Sequence, residues 1–91
     1  MITIWKFPLA TVGEQVISIP HGFNILTVRE QNNAPVLWAS VDDRETSKAN
    51  IKILTYGTGA PIPQGQEGVY VGTYMLDDGE FVGHVFYGYS V

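Results

Sequence analysis

The chain has no cysteine. That excludes a disulfide framework and a thiolate metal site, and it fits a reducing compartment. Charge is scarce as well. Charged residues make up 15% of the sequence, against roughly 25% in an average domain. No apolar run approaches the roughly 20 residues of a membrane span, so no membrane partner is expected. The opening MITIWKFPLA has no basic segment ahead of an apolar stretch, so a secretory signal is not expected either. Repeats and low-complexity tracts are absent. The default expectation is a cytoplasmic protein.

Five basic residues stand against nine acidic ones, a net charge of −4. Duplex nucleic acid is disfavoured, because phosphate neutralisation by Lys and Arg supplies most of that affinity. The acidic residues are too few for a mimic of DNA. What the chain does have is apolar surface: 45% of its residues, including four Phe, five Tyr and two Trp. Ninety-one residues make one domain over 1–91, and a domain of this size buries roughly 60–65% of its unfolded surface. So much apolar surface with so few ions points to cover by another chain, with a homo-oligomer as the expectation.

Strand signals dominate the order of residues. ITIWKF is β-branched and aromatic and is stopped by Pro8, since proline cannot continue a sheet ladder. EQVISI ends at Pro20, with His21-Gly22 as a turn. NILTVREQ places Leu26 and Val28 on one face and Thr27 and Arg29 on the other, then NNAP turns into VLWASVD. A proline at the base of that hairpin argues for an edge or a bulge. Residues 42–50, DDRETSKAN, form the one polar run and read as a loop. IKILTYG resumes the alternation. VYVGTYML and EFVGHVFYGY flank a turn at Asp78-Gly79, which suits two residues of positive φ. The expectation is all-β, a compact sandwich or small barrel of about seven short strands joined by antiparallel hairpins.

The last hairpin is apolar on both faces, which a strand exposed on one side should not be. Tyr70, Tyr74, Phe86, Tyr87 and Tyr89 are therefore the candidate subunit interface. The candidate ligand loop is TYGTGAPIP, residues 55–63. Pro61 and Pro63 forbid the helix that normally follows a phosphate-binding glycine loop. Gly57 and Gly59 could still offer a nest of amides, with Thr58 adding a hydroxyl and Tyr56 a ring. The plainer alternative is a strand exit that needs positive φ. Arg29 could grip a phosphate or carboxylate, His84 could donate to a ligand or act as a base, and a half-exposed Trp38 could stack a planar ring. Against the last two stand a satisfied strand histidine and a core tryptophan. Two histidines without ligand spacing give no metal site. The acidic pairs at 42–43 and 77–78 are explained by turn chemistry. No catalytic set and no cofactor are expected.

WKFPL, LWASVD, YGTG and YVGT…FVGHVF resemble a small protein family of phages and prophages, a domain of unknown function. The resemblance runs nearly end to end. In that family a histidine often follows GTG, where this chain has Ala60, which lowers the enzyme reading. The resemblance implies a viral context in an infected bacterium. The expected function is thus a non-enzymatic oligomer that counters host defence by sequestering a nucleotide-type signal. The alternatives are a protein–protein inhibitor of a host defence effector and a phage structural accessory.

Overall fold

The fold was read from a computed structural model of the chain. It describes residues 1–65 and 68–89, the side chain of Tyr89 excepted. Seven strands form: β1 (Ile2–Pro8), β2 (Glu14–Pro20), β3 (Asn24–Gln31), β4 (Ala34–Asp42), β5 (Lys48–Gly57), β6 (Val69–Leu76) and β7 (Phe81–Tyr89). They make two antiparallel sheets, β1-β4-β3 and β2-β5-β7-β6. Among the described residues no ladder joins the two, so the architecture is a sandwich rather than a barrel. Its thinnest dimension is 16 Å, as expected for two sheets roughly 10 Å apart.

Side-chain period decides the core. Leu37, Ala39 and Val41 of β4 alternate inward against Ile51 and Ile53 of β5, Val85 of β7 and Ile19 of β2, all buried. Each such aliphatic side chain contributes roughly 1.5–3 kcal/mol when fully buried. Tyr74 of β6 is also inside, 1% exposed. Its ring lies across Gly83 of β7, directly opposite it in the ladder.

One long side of the sandwich is stitched shut. β3 and β6 lie side by side there, close enough that a Cβ at Gly72 would stand 3.2 Å from Val28. At the end of that seam Asn33 Nδ2 donates to Asp77 Oδ1 at 2.8 Å, and the Asp77 amide donates to Asn33 Oδ1 at 2.8 Å. The opposite side, between β1 and β2, is looser. Trp5 points inward from β1 yet is 36% exposed, with Lys48 Nζ 5.7 Å from its ring centre.

Several local expectations need correction. Pro35 sits in β4, the central strand of its sheet. Asn32 and Asn33 make the turn, both at positive φ, with Gln31 and Ala34 as its closing pair. Ladder bonds alternate along an antiparallel pair, so the next pair, Glu30–Pro35, asks no amide hydrogen of the proline. Leu26 does not share a face with Val28: a bulge between Ile25 and Thr27 turns it outward, exposed. The polar loop is shorter than 42–50, because Lys48, Ala49 and Asn50 pair with Pro20, Ile19 and Ser18 of β2. Asp42 organises what remains. It accepts from the Arg44 amide and guanidinium and from the Met1 amine, and the guanidinium holds its carboxyl well below the usual carboxylate range. The last hairpin closes at Leu76–Phe81 through four residues, Asp77 to Glu80, rather than two. Asp77, Asp78 and Gly79 all have positive φ, and Asn33 pays for the first of them by bonding the Asp77 amide and carboxylate.

Two outcomes follow from Tyr74. A Cβ at Gly83 would stand 2.7 Å from the tyrosine Cζ. Gly83→Ala is expected to destabilise by about 1–3 kcal/mol in urea unfolding, whereas Gly88→Ala, with nothing within 4 Å of the new methyl, stays within about 0.5 kcal/mol of wild type.

The second outcome concerns the hydroxyl. Tyr74 OH and Thr55 Oγ1 are buried without hydrogen-bond partners among the described residues. Burial pushes the Tyr74 phenol up from 10.0, and the nearby Thr55 hydroxyl offsets only part of that. Above pH 10 the unfolded chain releases a proton that the folded chain keeps, so stability falls as pH rises there. Tyr74→Phe should lose that part of the slope in urea midpoints measured from pH 8 to 11. At pH 7 it should gain between zero and about 1 kcal/mol, since an unpaired buried hydroxyl is removed.

Candidate functional site

The outward side of the four-stranded sheet is where β5, β6 and β7 gather polar and aromatic groups. His84 of β7 faces out because its neighbours Gly83 and Val85 face the core. The ladder sets Tyr56 of β5 directly opposite it on one side and Thr73 of β6 on the other. Both imidazole nitrogens are engaged. Nε2 lies 2.8 Å from Thr58 Oγ1 and Nδ1 lies 3.0 Å from Thr73 Oγ1. Thr73 Oγ1 is in turn 2.6 Å from Tyr70 OH. A neutral imidazole has one donor and one acceptor, so the four-member chain Thr58–His84–Thr73–Tyr70 runs in one of two senses, each satisfying every link.

A bulge makes this possible. The β6–β7 register shifts between Tyr70 and Gly72. Without the extra residue, Tyr70 and Thr73 would point to opposite faces. With it, Tyr70 joins Thr73 outside and its ring meets Phe86 edge-on at 5.3 Å, while Tyr56 meets the same Phe86 at 5.9 Å. Leu54, opposite Phe86 in the ladder, is 9% exposed although it faces away from the core. Tyr70 itself is 56% exposed.

The glycine loop is a strand exit. Gly57 ends β5 opposite Gly83. The Ala60 amide donates to the Gly57 carbonyl at 3.0 Å, and only Gly59 within that turn has positive φ, +86°. That pattern is a type II turn. The Ala60 amide is therefore spent within the turn. What the turn delivers is Thr58, placed against His84.

The predicted ligand set thus divides. Tyr56, Thr58 and His84 come together, with Gly57 and Gly59 shaping the turn. Arg29 and Trp38 do not join them. They face outward from the other sheet, since Val28, Leu37 and Ala39 beside them face the core. The predicted interface set divides as well. Tyr70 is exposed and Phe86 half-buried on the outer face. Tyr74 is a core residue, closed off from any partner, and Tyr87 packs inward with its ring edge-on to Phe23 at 6.2 Å. The side chain of Tyr89 lies outside the described residues. Thr73 is the site residue that sequence reasoning missed. Its signal was the ladder position opposite His84, hidden until the hairpin loop length is known. Among the described residues no group of His, Asp and Glu is arranged to hold a metal ion.

A family model described as a domain of unknown function (DUF7352) matches residues 1–91. No curated protein and no solved structure matches the chain.

Proposed function

The chain belongs to this family of domains of unknown function, and we propose that it is a phage-encoded, non-enzymatic, homo-oligomeric binding protein. It acts in the cytoplasm of an infected bacterium and counters host defence by sequestering a nucleotide-type signalling molecule. The observation that carries this reading is the exposed His84 chain ringed by Tyr56, Phe86 and Tyr70. Base rings stack on exposed aromatics with little sequence preference, each contact contributing roughly 1–3 kcal/mol. His84 orients the chain, and in either of its two senses one end hydroxyl, Thr58 or Tyr70, keeps a proton to donate to a sugar or phosphate oxygen. Thr58 and His84 have the spacing of a nucleophile and its base. The third member, Thr73, is a neutral hydroxyl, and an imidazolium formed by proton abstraction gains no carboxylate support from it. The arrangement therefore favours holding a ligand over transforming it. The motif resemblance to phage and prophage proteins supports the viral setting.

The protein–protein reading rests on a separate observation. Val16 and Met75 on this face are each more than half exposed, which extends apolar surface beyond the footprint of a nucleotide. With a net charge of −4, the partner would be a basic host effector. Recovery of one stoichiometric basic protein from bacterial lysate, with no nucleotide bound, would favour this reading over sequestration.

Calorimetry against cyclic dinucleotides and cyclic ADP-ribose isomers is expected to give heat with one class, and the ligand should be recovered unchanged. His84→Ala, which frees the Thr58 and Tyr70 hydroxyls from their shared orientation, should weaken that binding about tenfold. No heat from any of these compounds, with the protein folded, would remove the reading.

Light scattering should give a multiple of the 10.0 kDa chain mass. Tyr70→Glu, which sets a charge in the exposed aromatic face, should return the protein to a single chain. A strictly monomeric wild type at high concentration would defeat the oligomer.

A further inference from the structure

The outer face of the three-stranded sheet carries a second cluster, separate from the His84 chain and independent of the reading above. Trp38 of β4 is half-buried there, with Lys6 of β1 directly opposite on one side and Thr27 of β3 on the other. One step along the same face, Arg29 stands opposite Val36. Lys6 Nζ donates to Gln31 Oε1 at 3.0 Å, so the lysine stem crosses β4 towards β3. Val36 is 5% exposed although it points away from the core and belongs to no part of the core cluster. The stems on this face cover it.

The charges here are not balanced. Arg29 is exposed and has no hydrogen bond or ion pair among the described residues. Among the described residues Lys6 has only a neutral amide as partner. Glu30 faces the other way in the ladder, and Asp42, at the far end of β4, is held by Arg44 and the Met1 amine. Two of the five basic residues of an acidic chain therefore stand on one face beside a tryptophan, without a carboxylate between them. Two cations suit a dianion better than a single carboxylate, and the planar guanidinium matches a phosphate bidentately.

We propose that Lys6, Arg29 and Trp38 form a binding site for a phosphate monoester attached to a planar ring. The phosphate sits between Lys6 and Arg29, Gln31 holds the lysine in place, and the ring lies on the open part of the Trp38 indole. The contact is shallow and charge-driven, so affinity falls as salt is raised.

Nitrogen-15 NMR of the full chain, titrated with adenosine 5′-monophosphate, adenosine and inorganic phosphate, tests this. The monophosphate should shift the Trp38 indole, Arg29 and Gln31 side-chain signals. Adenosine and inorganic phosphate should each bind about tenfold more weakly. Arg29→Ala and Lys6→Ala, both exposed positions that leave the core intact, should each cost about tenfold in affinity, and His84→Ala should cost nothing. The proposal is overturned if the Trp38 indole does not move, if Arg29→Ala binds as wild type, or if phosphate alone matches the nucleotide. Because the probe is a monoester and the readout lies on the other sheet, this result stands apart from the calorimetry on cyclic nucleotides.

Discussion

The contact of Tyr74 with Gly83 fixes the rest. The ring lies flat across a strand that has no side chain at that point, which locks β6 against β7 in one register. A one-residue slip would send every side chain on the strand to the other face. Thr73 precedes Tyr74 and His84 follows Gly83, so locking the inner pair sets the outer pair opposite each other. The polar chain outside is thus a consequence of packing inside. The same ring carries an unpaired hydroxyl into the interior, so the core accepts one polar cost in exchange for a ring large enough to fill the space above the glycine.

Much of this fold was legible in the sequence. Pro8 and Pro20 end strands where the ladder ends, and Asn32-Asn33 turns where two positive φ angles are needed. The alternation of IKILTYG holds, with Ile51 and Ile53 buried on the inner face. The misses share a cause. The bulges at Ile25–Thr27 and Tyr70–Gly72 leave no mark in composition, and each inverts the parity of what precedes it. Asp77 adopts positive φ with help from Asn33, 44 positions away, so reading the local DDG alone gave a loop two residues too short. The site suffered similarly. Arg29, Trp38, Thr58 and His84 were all candidates in the sequence, the last three each beside a plainer structural alternative. Which sheet each strand joins depends on β1 pairing with β4 and β2 with β5, non-local pairings that residue patterns do not encode.

The low charge of the chain takes on a definite distribution. Asp42, Asp43, Arg44 and the Met1 amine neutralise one another at one corner. Glu14 and Lys52 lie 3.9 Å apart at the edge of the four-stranded sheet. The outer face of that sheet beyond them is uncharged and aromatic, while the outer face of the three-stranded sheet holds Lys6 and Arg29. Two faces of different chemistry on one small domain are a natural basis for two distinct contacts.

Thickness then constrains how either contact can work. Each sheet spends one face on the core, and a sandwich 16 Å thin has no interior to give to a ligand. Recognition is left to outer faces and edges, which are shallow. Small ligands held tightly are usually covered over 70–90% of their surface, and a flat sheet face covers only one side of a ring. A second surface must close over the other side. The chain already offers exposed apolar side chains on its aromatic face, among them Val16 and Met75, where such a surface would sit. On the proposed reading, geometry more than composition is what would make an assembled copy of this domain a better receptor than a solitary one.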